Sequence, residues 1–453
     1  MEDIILRQRE YFQSGITLNV NFRIKMLKKL YKAIKDFEDE ICISLKKDLN
    51  KSKEESYMCE IGLCLSEISY MLKHLKGFTK KQRVSSPLAQ FPSSSYMLKV
   101  PYGNILIIAP WNYPFLLAIE PLIDAIASGN VCIIKPSEFS IETSKTIEKM
   151  LCSSFDDSYV KVINGDHNVS KSLLNYKYDF IFYTGGEKVG KEILKKASEN
   201  LTPVVLELGG KSPCIIDLDA NLKLAAKRIV FGKFLNAGQT CVAPDYILCP
   251  RSLKNDFKKE LLEQIKSQYG NALSDDTYVK IINNKHFVRL LALINQNKVI
   301  YGSKYDSDSL KIEPTVLDDV SFDDLIMKDE IFGPLLPIVY YDEYTDIYKI
   351  LADKPHPLAL YIFSNNKEHI AELTNRINYG GGCINDTIIH LATSSLPFGG
   401  VGNSGMGNYH GKHGFDTFSH TKSIVDKKIW LDLPMRYHPY KKINDKLVRL
   451  FLK

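Results

Sequence analysis

The sequence contains no Cys-x-x-Cys pair, no His-Glu-x-x-His and no long uninterrupted apolar run. Crossing a bilayer as a helix takes about 18 consecutive apolar residues, so a transmembrane segment is not expected. The nine cysteines are odd in number, and several sit inside apolar runs such as "NVCIIKP" and "SPCIID". That pattern suits reduced, buried thiols in a cytoplasmic protein, not a disulfide framework. His410 and His413 in "YHGKHGF" are three apart with no further ligand recognisable nearby, so no metal is expected. There is no basic block: Lys and Arg alternate with Asp and Glu along the chain, and the net charge is only +6 over 453 residues. A nucleic-acid partner is therefore not expected. The start, "MEDIILRQREYFQSG", carries acidic residues and a short apolar run, which is not the pattern of a signal peptide. The last stretch, "KKINDKLVRLFLK", is short, basic and weakly amphipathic. It reads as a helix docked on the protein or as a weak peripheral membrane contact. No internal repeat or low-complexity linker is found.

What is present is an ordinary globular balance, 45% hydrophobic and 25% charged, in a chain long enough for about two to four domains. Up to about residue 80, apolar positions recur every three or four residues, as in "FRIKMLKKLYKAIKDFEDEICISLKKDL", which predicts helices. The segment "TKKQRVSSPLAQFPSSSYMLKVPYG" holds three prolines and a serine cluster, and predicts an extended excursion with "SYMLKV" as an edge strand. From residue 105 the rhythm changes. The apolar runs 105–109, 131–135, 160–164, 179–184 and 203–208 alternate with helical segments. Strands apolar on both faces predict a parallel sheet covered on both sides. A second alternating set begins at 212–217, includes 246–249 and the later runs "EIFGPLLPIVYY" and "ALYIFS", and places a boundary near 209–212. The fold class is α/β with two such units.

Five short segments carry candidate chemistry, each beside a plainer alternative. "GVGNSG" at 400–405 fits a dinucleotide glycine pattern, but it neither follows a buried strand nor opens an apolar helix, so it reads as a flexible glycine-rich segment. In "FIFYTGGEKVGKEI" a strand ends at Thr184 and glycines turn the chain into a helix, where backbone can approach a phosphate or nicotinamide; strand–glycine–helix turns are also common. In "PWNYP" two prolines fix the backbone around Asn112, which is either an oxyanion donor or a helix cap. Glu207 interrupts the apolar strand in "VVLELGGKS" and is either a general base raised by burial or half of a structural ion pair. Cys241, among the small and polar residues of "NAGQTCVAPDY", is either a nucleophile or an inert thiol.

Taken together, "PWNYP", "FYTGG", "LELGGKSP", "NAGQTCVAPDY" and "EIFGPLLP" occur in an order and spacing that resembles the aldehyde dehydrogenase superfamily. "SLPFGGVGNSGMGNYHGKHGFDTFSHTKS" resembles the signature of its class 3 branch, the fatty and aromatic aldehyde dehydrogenases. The resemblance runs from about residue 20 to 440. It implies that Cys241 is the nucleophile, Glu207 the base that activates water, and Asn112 the oxyanion donor together with the Cys241 backbone N–H. It implies that Lys135 and Glu138 hold the adenosine ribose, that Gly185 and Gly190 lie beside the cofactor, and that Glu330 and Phe332 contact the nicotinamide ribose. Tyr113, Leu63, Ile389 and Phe398 fall where relatives line the aldehyde funnel. One departure stands out: the usual Gly-Ser-Thr-x-x-Gly turn reads Gly185-Gly186-Glu187-Lys188-Val189-Gly190 here, which puts a carboxylate near the cofactor.

The expected reaction is oxidation of a medium- or long-chain aliphatic or aromatic aldehyde to the acid with NAD or NADP. Lys135 would attract a 2′-phosphate and Glu138 would repel one. Glu207 points to hydrolysis of the thioester over transfer to coenzyme A. The alternative is a non-catalytic binding or structural protein on the same fold. The resemblance also implies a Rossmann-like cofactor domain (1–82 and 101–208), a catalytic domain (209–395), a small β oligomerisation arm (83–100 and 396–430), a tail (431–453) and a homodimer.

Overall fold

The structure is a computed structural model and describes residues 1–440, 445–446 and 448–449. Most of the tail segment read above as a docked helix or membrane contact lies outside the described residues. The first 80 residues are helical, as the spacing predicts: Glu2–Gln13, Val20–Asp36, Glu38–Leu49, Lys53–Ser56 and Gly62–Phe78, the last two joined by a π-turn at Tyr57–Ile61.

Two parallel sheets follow. In the first, the strands are ordered Val204–Glu207, Phe180–Thr184, Asn104–Ile108, Val131–Lys135 and Val160–Val162, all parallel. Three of the five, Asn104–Ile108, Val131–Lys135 and Phe180–Thr184, are buried along their whole length, as strands covered on both faces are. A two-residue strand, Gly405–Met406, adds to the outer edge antiparallel to Val204–Glu207, with Gly405 opposite Glu207. This is the segment read above as flexible. It is fixed instead: a Cβ at Gly405 would come 2.4 Å from the Leu206 carbonyl, and φ there is +151°, so only glycine fits this close approach.

The second sheet has the order Val299–Tyr301, Thr315–Leu317, Leu335–Tyr341, Tyr246–Pro250, Pro213–Ile216, Ala359–Phe363 and Gly381–Ile384, parallel except at Val299–Tyr301. A third, antiparallel sheet joins Gln82–Val84, Ser93–Pro101 and Ser419–Lys427. Here two expectations are corrected. Ser93–Pro101 is the central strand, not an edge, because Ser419–Lys427 pairs along its whole length. And the excursion sheet takes only Ser419–Lys427 from the C-terminal region, not all of 396–430. Gly405–Met406 belongs to the first sheet, and the helix Gly411–Thr417 packs on the buried helix Leu116–Ser128. No helix among the described residues is long and apolar enough to cross a membrane.

Candidate active site

The candidate residues of the first sheet lie at or just beyond the carboxyl ends of its parallel strands: Asn112 after Asn104–Ile108, Lys135 ending Val131–Lys135, Gly185 after Phe180–Thr184, and Glu207 ending Val204–Glu207. Ligands in open parallel sheets bind at this end. Those from the second unit, Cys241 and Glu330, sit in loops that lead into the strands Tyr246–Pro250 and Leu335–Tyr341.

Cys241 follows the helix Leu222–Phe234 through a kink in which Asn236 (φ 53°) and Ala237 (φ 51°) both adopt left-handed conformations. Such residues cost about 1–3 kcal/mol each and persist only where the surroundings hold them. Here hydrogen bonds do so. Asn112 donates through its amide to the Gln239 carbonyl (3.0 Å), while its own carbonyl accepts from the Asn236 amide (2.9 Å). The Tyr113 and Thr240 hydroxyls are 2.7 Å apart. The backbone N–H of Asn236 donates to Glu55 (3.0 Å), and the Gln239 side chain ties the loop to Lys280 and Ile282. The Asn112 end is held in turn by Lys51, whose ammonium donates to the Asn112 carbonyl (3.1 Å) and lies 4.1 Å over the Tyr113 ring. Lys51 is paired with Glu60, and neither side chain is exposed. Removing one partner of such a pair costs about 3–5 kcal/mol.

These contacts exclude the plainer readings of Asn112 and Glu207. Asn112 is not a helix cap: the N–H groups of Phe115 and Leu116, at the start of the helix, donate to Glu60 instead (2.9 and 3.2 Å). One Asn112 amide N–H is used on Gln239, and the other remains to donate. Glu207 is not half of an ion pair: it is 2% exposed and neither carboxylate oxygen has a hydrogen-bond partner. Burial alone pushes its pKa well above the ordinary carboxylate range.

Cys241 and Glu207 line one cavity of about 200 Å³ together with Tyr113, Leu63, Ile389 and Phe398, so all four predicted funnel residues fall in it. Its surface is overwhelmingly apolar, with Leu116, Leu117, Phe231 and Leu235 among the lining side chains. Met58 and Ile389 are half-exposed and mark its mouth. Sequence reasoning missed Thr184, Thr240, Tyr409, Glu120 and His410, which also line it. Two acids inside the otherwise apolar "FLLAIEPLIDAIAS" were the available signal for Glu120. A second cysteine, Cys59, lines the cavity as well, but it is more deeply buried than Cys241.

Burial, with Glu330 and Glu207 nearby, pushes the Cys241 thiol up to about 12; the backbone N–H groups of Cys241 and Val242 act against this. At neutral pH the resting sulfur is therefore a thiol. Alkylation by iodoacetamide requires the thiolate, so the rate at Cys241, followed by peptide mass spectrometry, should rise about tenfold per pH unit from pH 7 to 10 without a plateau.

The residues predicted to hold a dinucleotide fit one. The Lys135 ammonium is buried and donates only to the adjacent Pro136 carbonyl (2.7 Å). Burial lowers its pKa, while Glu138 and Asp166 act in the opposite direction, so a carboxylate and an ammonium flank the same place. Gly186 opens onto free space, whereas a Cβ at Gly185 or Gly190 would meet Tyr183 (2.3 Å) or Leu208 (2.9 Å). Glu330 lies against Gly209, where a Cβ would come 2.1 Å from its carboxyl. Burial and Asp245 raise the Glu330 pKa to about 8, with the Gly210 backbone, Lys211 and Lys233 opposing. Phe332, at φ +49°, packs edge-on against Trp111 with ring centroids 5.3 Å apart. The departing Glu187 opens the helix Glu187–Ser198 and is committed to Lys191 (2.6 Å) and Asn403 (3.0 Å). The hydrogen bond from Lys191, followed by that from Asn403, keeps its pKa low. The unusual turn residue is thus bound to the "GVGNSG" segment that closes the sheet edge.

Among the described residues no group of three or more His, Cys, Asp or Glu is placed to hold a metal ion. A partly buried thiol and an unpaired carboxyl share one apolar cavity, beside a fold edge that fits a dinucleotide, and this is the arrangement of a nicotinamide-dependent oxidoreductase. The sequence profile of the aldehyde dehydrogenase family matches residues 2–424. The chain is 47% identical over 436 residues to the 4,4'-diaponeurosporen-aldehyde dehydrogenase of Staphylococcus aureus, covering 96% of this chain and 95% of that protein. It is 42% identical over 428 residues to aldehyde dehydrogenase family 3 member A2 of Mus musculus, covering 94% and 88%. It superposes on the substrate-bound state of Staphylococcus aureus AldH with a TM-score of 0.98 at 46% identity, covering 100% and 99% of the two chains. The chain belongs to the aldehyde dehydrogenase family, in its class 3 branch. Its reaction is the oxidation of an aldehyde with reduction of NAD or NADP, and the non-catalytic alternative finds no support.

Proposed function

We propose that the enzyme oxidises medium- or long-chain aliphatic or aromatic aldehydes to carboxylic acids through a Cys241 thioester that water hydrolyses. The observation that carries this is the buried Glu207 carboxyl, without any hydrogen-bond partner, in the same apolar cavity as Cys241. The Cys241 thiol gives up its proton to solvent, and the resulting thiolate adds to the aldehyde carbon as the carbonyl π electrons move onto oxygen. The oxyanion so formed is stabilised by the free N–H of the Asn112 amide and by the Cys241 backbone N–H. A nicotinamide bound beside Glu330 and Phe332 would supply the hydride acceptor for the oxidation. Glu207, with its raised pKa, takes a proton from water, and the water oxygen attacks the thioester carbon to free the acid and restore the thiol. Lys135 and Glu138 hold the adenosine ribose, Gly185 and Gly190 let the backbone approach the cofactor, and Glu330 and Phe332 position the nicotinamide ribose.

The apolar lining supports the substrate class: a cavity with little polar surface gains most from a substrate with a long apolar tail. The relative named for 4,4'-diaponeurosporenal agrees with that direction. The partition into a cofactor part (1–82 and 101–208) and a catalytic part (209–395) is supported by the two parallel sheets, with 396–418 now assigned to the first. A homodimer through the third sheet is supported by the open edge of Ser419–Lys427 and by exposed Val425, Ile429 and Trp430. Nine unpaired thiols support a cytoplasmic location.

The test is the rise in absorbance at 340 nm with octanal, decanal and benzaldehyde, each with NAD and with NADP. Comparable rates with both cofactors are expected, since Lys135 and Glu138 act oppositely on a 2′-phosphate. Absence of any rise with all three aldehydes overturns the reading.

A further inference from the structure

The aldehyde cavity has a second polar place besides the reacting groups. Glu120 and His410 both line it, at 6% and 3% exposure. The carboxyl Oε1 and the imidazole Nε2 are 3.4 Å apart. Leu117, Glu120 and Asp124 run down one face of the helix Leu116–Ser128. Tyr113, which precedes that helix, lines the same cavity, and its hydroxyl meets Thr240 beside Cys241.

The opposite wall is built with similar commitment. His410 holds φ +80°, a conformation few non-glycine residues adopt, and it does so while buried. Behind the pair, Glu67 accepts from the Gly411 backbone (2.7 Å), and Gly414 leaves room for Asp124, which a Cβ there would approach to 1.9 Å. Burial and the neighbouring carboxyls raise the pKa values of both Glu67 and Asp124. Burial lowers that of His410, but Glu120 and Glu67 outweigh it and the net shift is upward. Placing a carboxyl and an imidazole in an apolar cavity is costly unless their hydrogen-bonding capacity is used. An aliphatic tail cannot use it.

We propose that Glu120 and His410 form a subsite for a hydroxyl group carried on the substrate away from its aldehyde. The hydroxyl donates to the Glu120 carboxyl and accepts from the His410 Nε2–H. The substrate class is then hydroxyaldehydes in which an apolar spacer separates the two ends. This rests on the Cys241 cavity being the aldehyde site.

The experiment compares kcat/KM for 8-hydroxyoctanal with octanal and for 10-hydroxydecanal with decanal, in the natural enzyme and in Glu120→Leu. At one of these lengths the natural enzyme should favour the hydroxyaldehyde by about tenfold, the worth of one hydrogen bond to a charged group. In Glu120→Leu that ratio should invert. A ratio unchanged by the substitution, or no preference at either length, overturns the proposal. Should the variant not fold, inhibition of the natural enzyme by 1,8-octanediol and 1,10-decanediol is compared with 1-octanol and 1-decanol. Tighter inhibition by a diol supports the subsite, and equal inhibition refutes it. If no aldehyde is oxidised at all, it is the assignment of the cavity that fails. If the alkanals are oxidised without preference, only the subsite fails.

Discussion

Cys241→Ala enzyme will produce no NADH from any aldehyde, a loss of about ten-thousandfold or more, with no first-turnover burst. The reason is that Cys241 is the proposed site of the covalent adduct. Cys59 lines the same cavity, and its thiol is also pushed up to about 12 by burial, with Glu55 adding to the shift. It lacks the clamped loop that holds Cys241 against Asn112. The substitution removes one sulfur from a site fixed by backbone and amide hydrogen bonds, so the fold and cofactor binding should persist, measured by thermal unfolding and by quenching of protein fluorescence on NAD addition. Turnover in the variant at even a hundredth of the natural rate would move the nucleophile elsewhere.

Glu207→Gln separates the two halves of the reaction. Rapid mixing should give about one NADH per active site, then a steady state slower by about 10²–10⁴-fold, the usual contribution of a positioned base. The amide fills the same volume and removes a buried carboxyl that has no partner, so stability should hold or rise. The natural enzyme should also show a pH dependence of the correct sign. Burial raises the Glu207 pKa above the ordinary carboxylate range, so its ionised, basic fraction grows as pH rises and deacylation should accelerate with it. In Glu207→Gln that acceleration should disappear. Loss of the burst as well would show that Glu207 acts earlier than the water step.

The parts of the fold legible in the sequence were those with a strong period. Val131–Lys135 and Phe180–Thr184 are buried on both faces, and their apolar runs stood out. Ser419–Lys427 did not, because its sheet is largely exposed and its partner strand lies more than three hundred residues away. Gly405–Met406 is too short to carry any period. The site divides the same way. Glu207 and Asn112 were visible because a carboxylate in an apolar strand and an amide between prolines are locally odd. Their plainer alternatives were excluded only by partners that no local pattern reveals, Glu60 for the helix start and none at all for Glu207. His410 was visible only as half of a weak metal pattern. What it faces, Glu120, comes from a different part of the chain.

The hydrogen bonds that join Asn112 and Tyr113 to Gln239, Asn236 and Thr240 run between residues borne by different sheets. The proposed oxyanion donor and nucleophile are therefore carried by different sheets and meet along a hydrogen-bonded seam. A small shear between the two sheets would break the catalytic alignment while each sheet stayed folded.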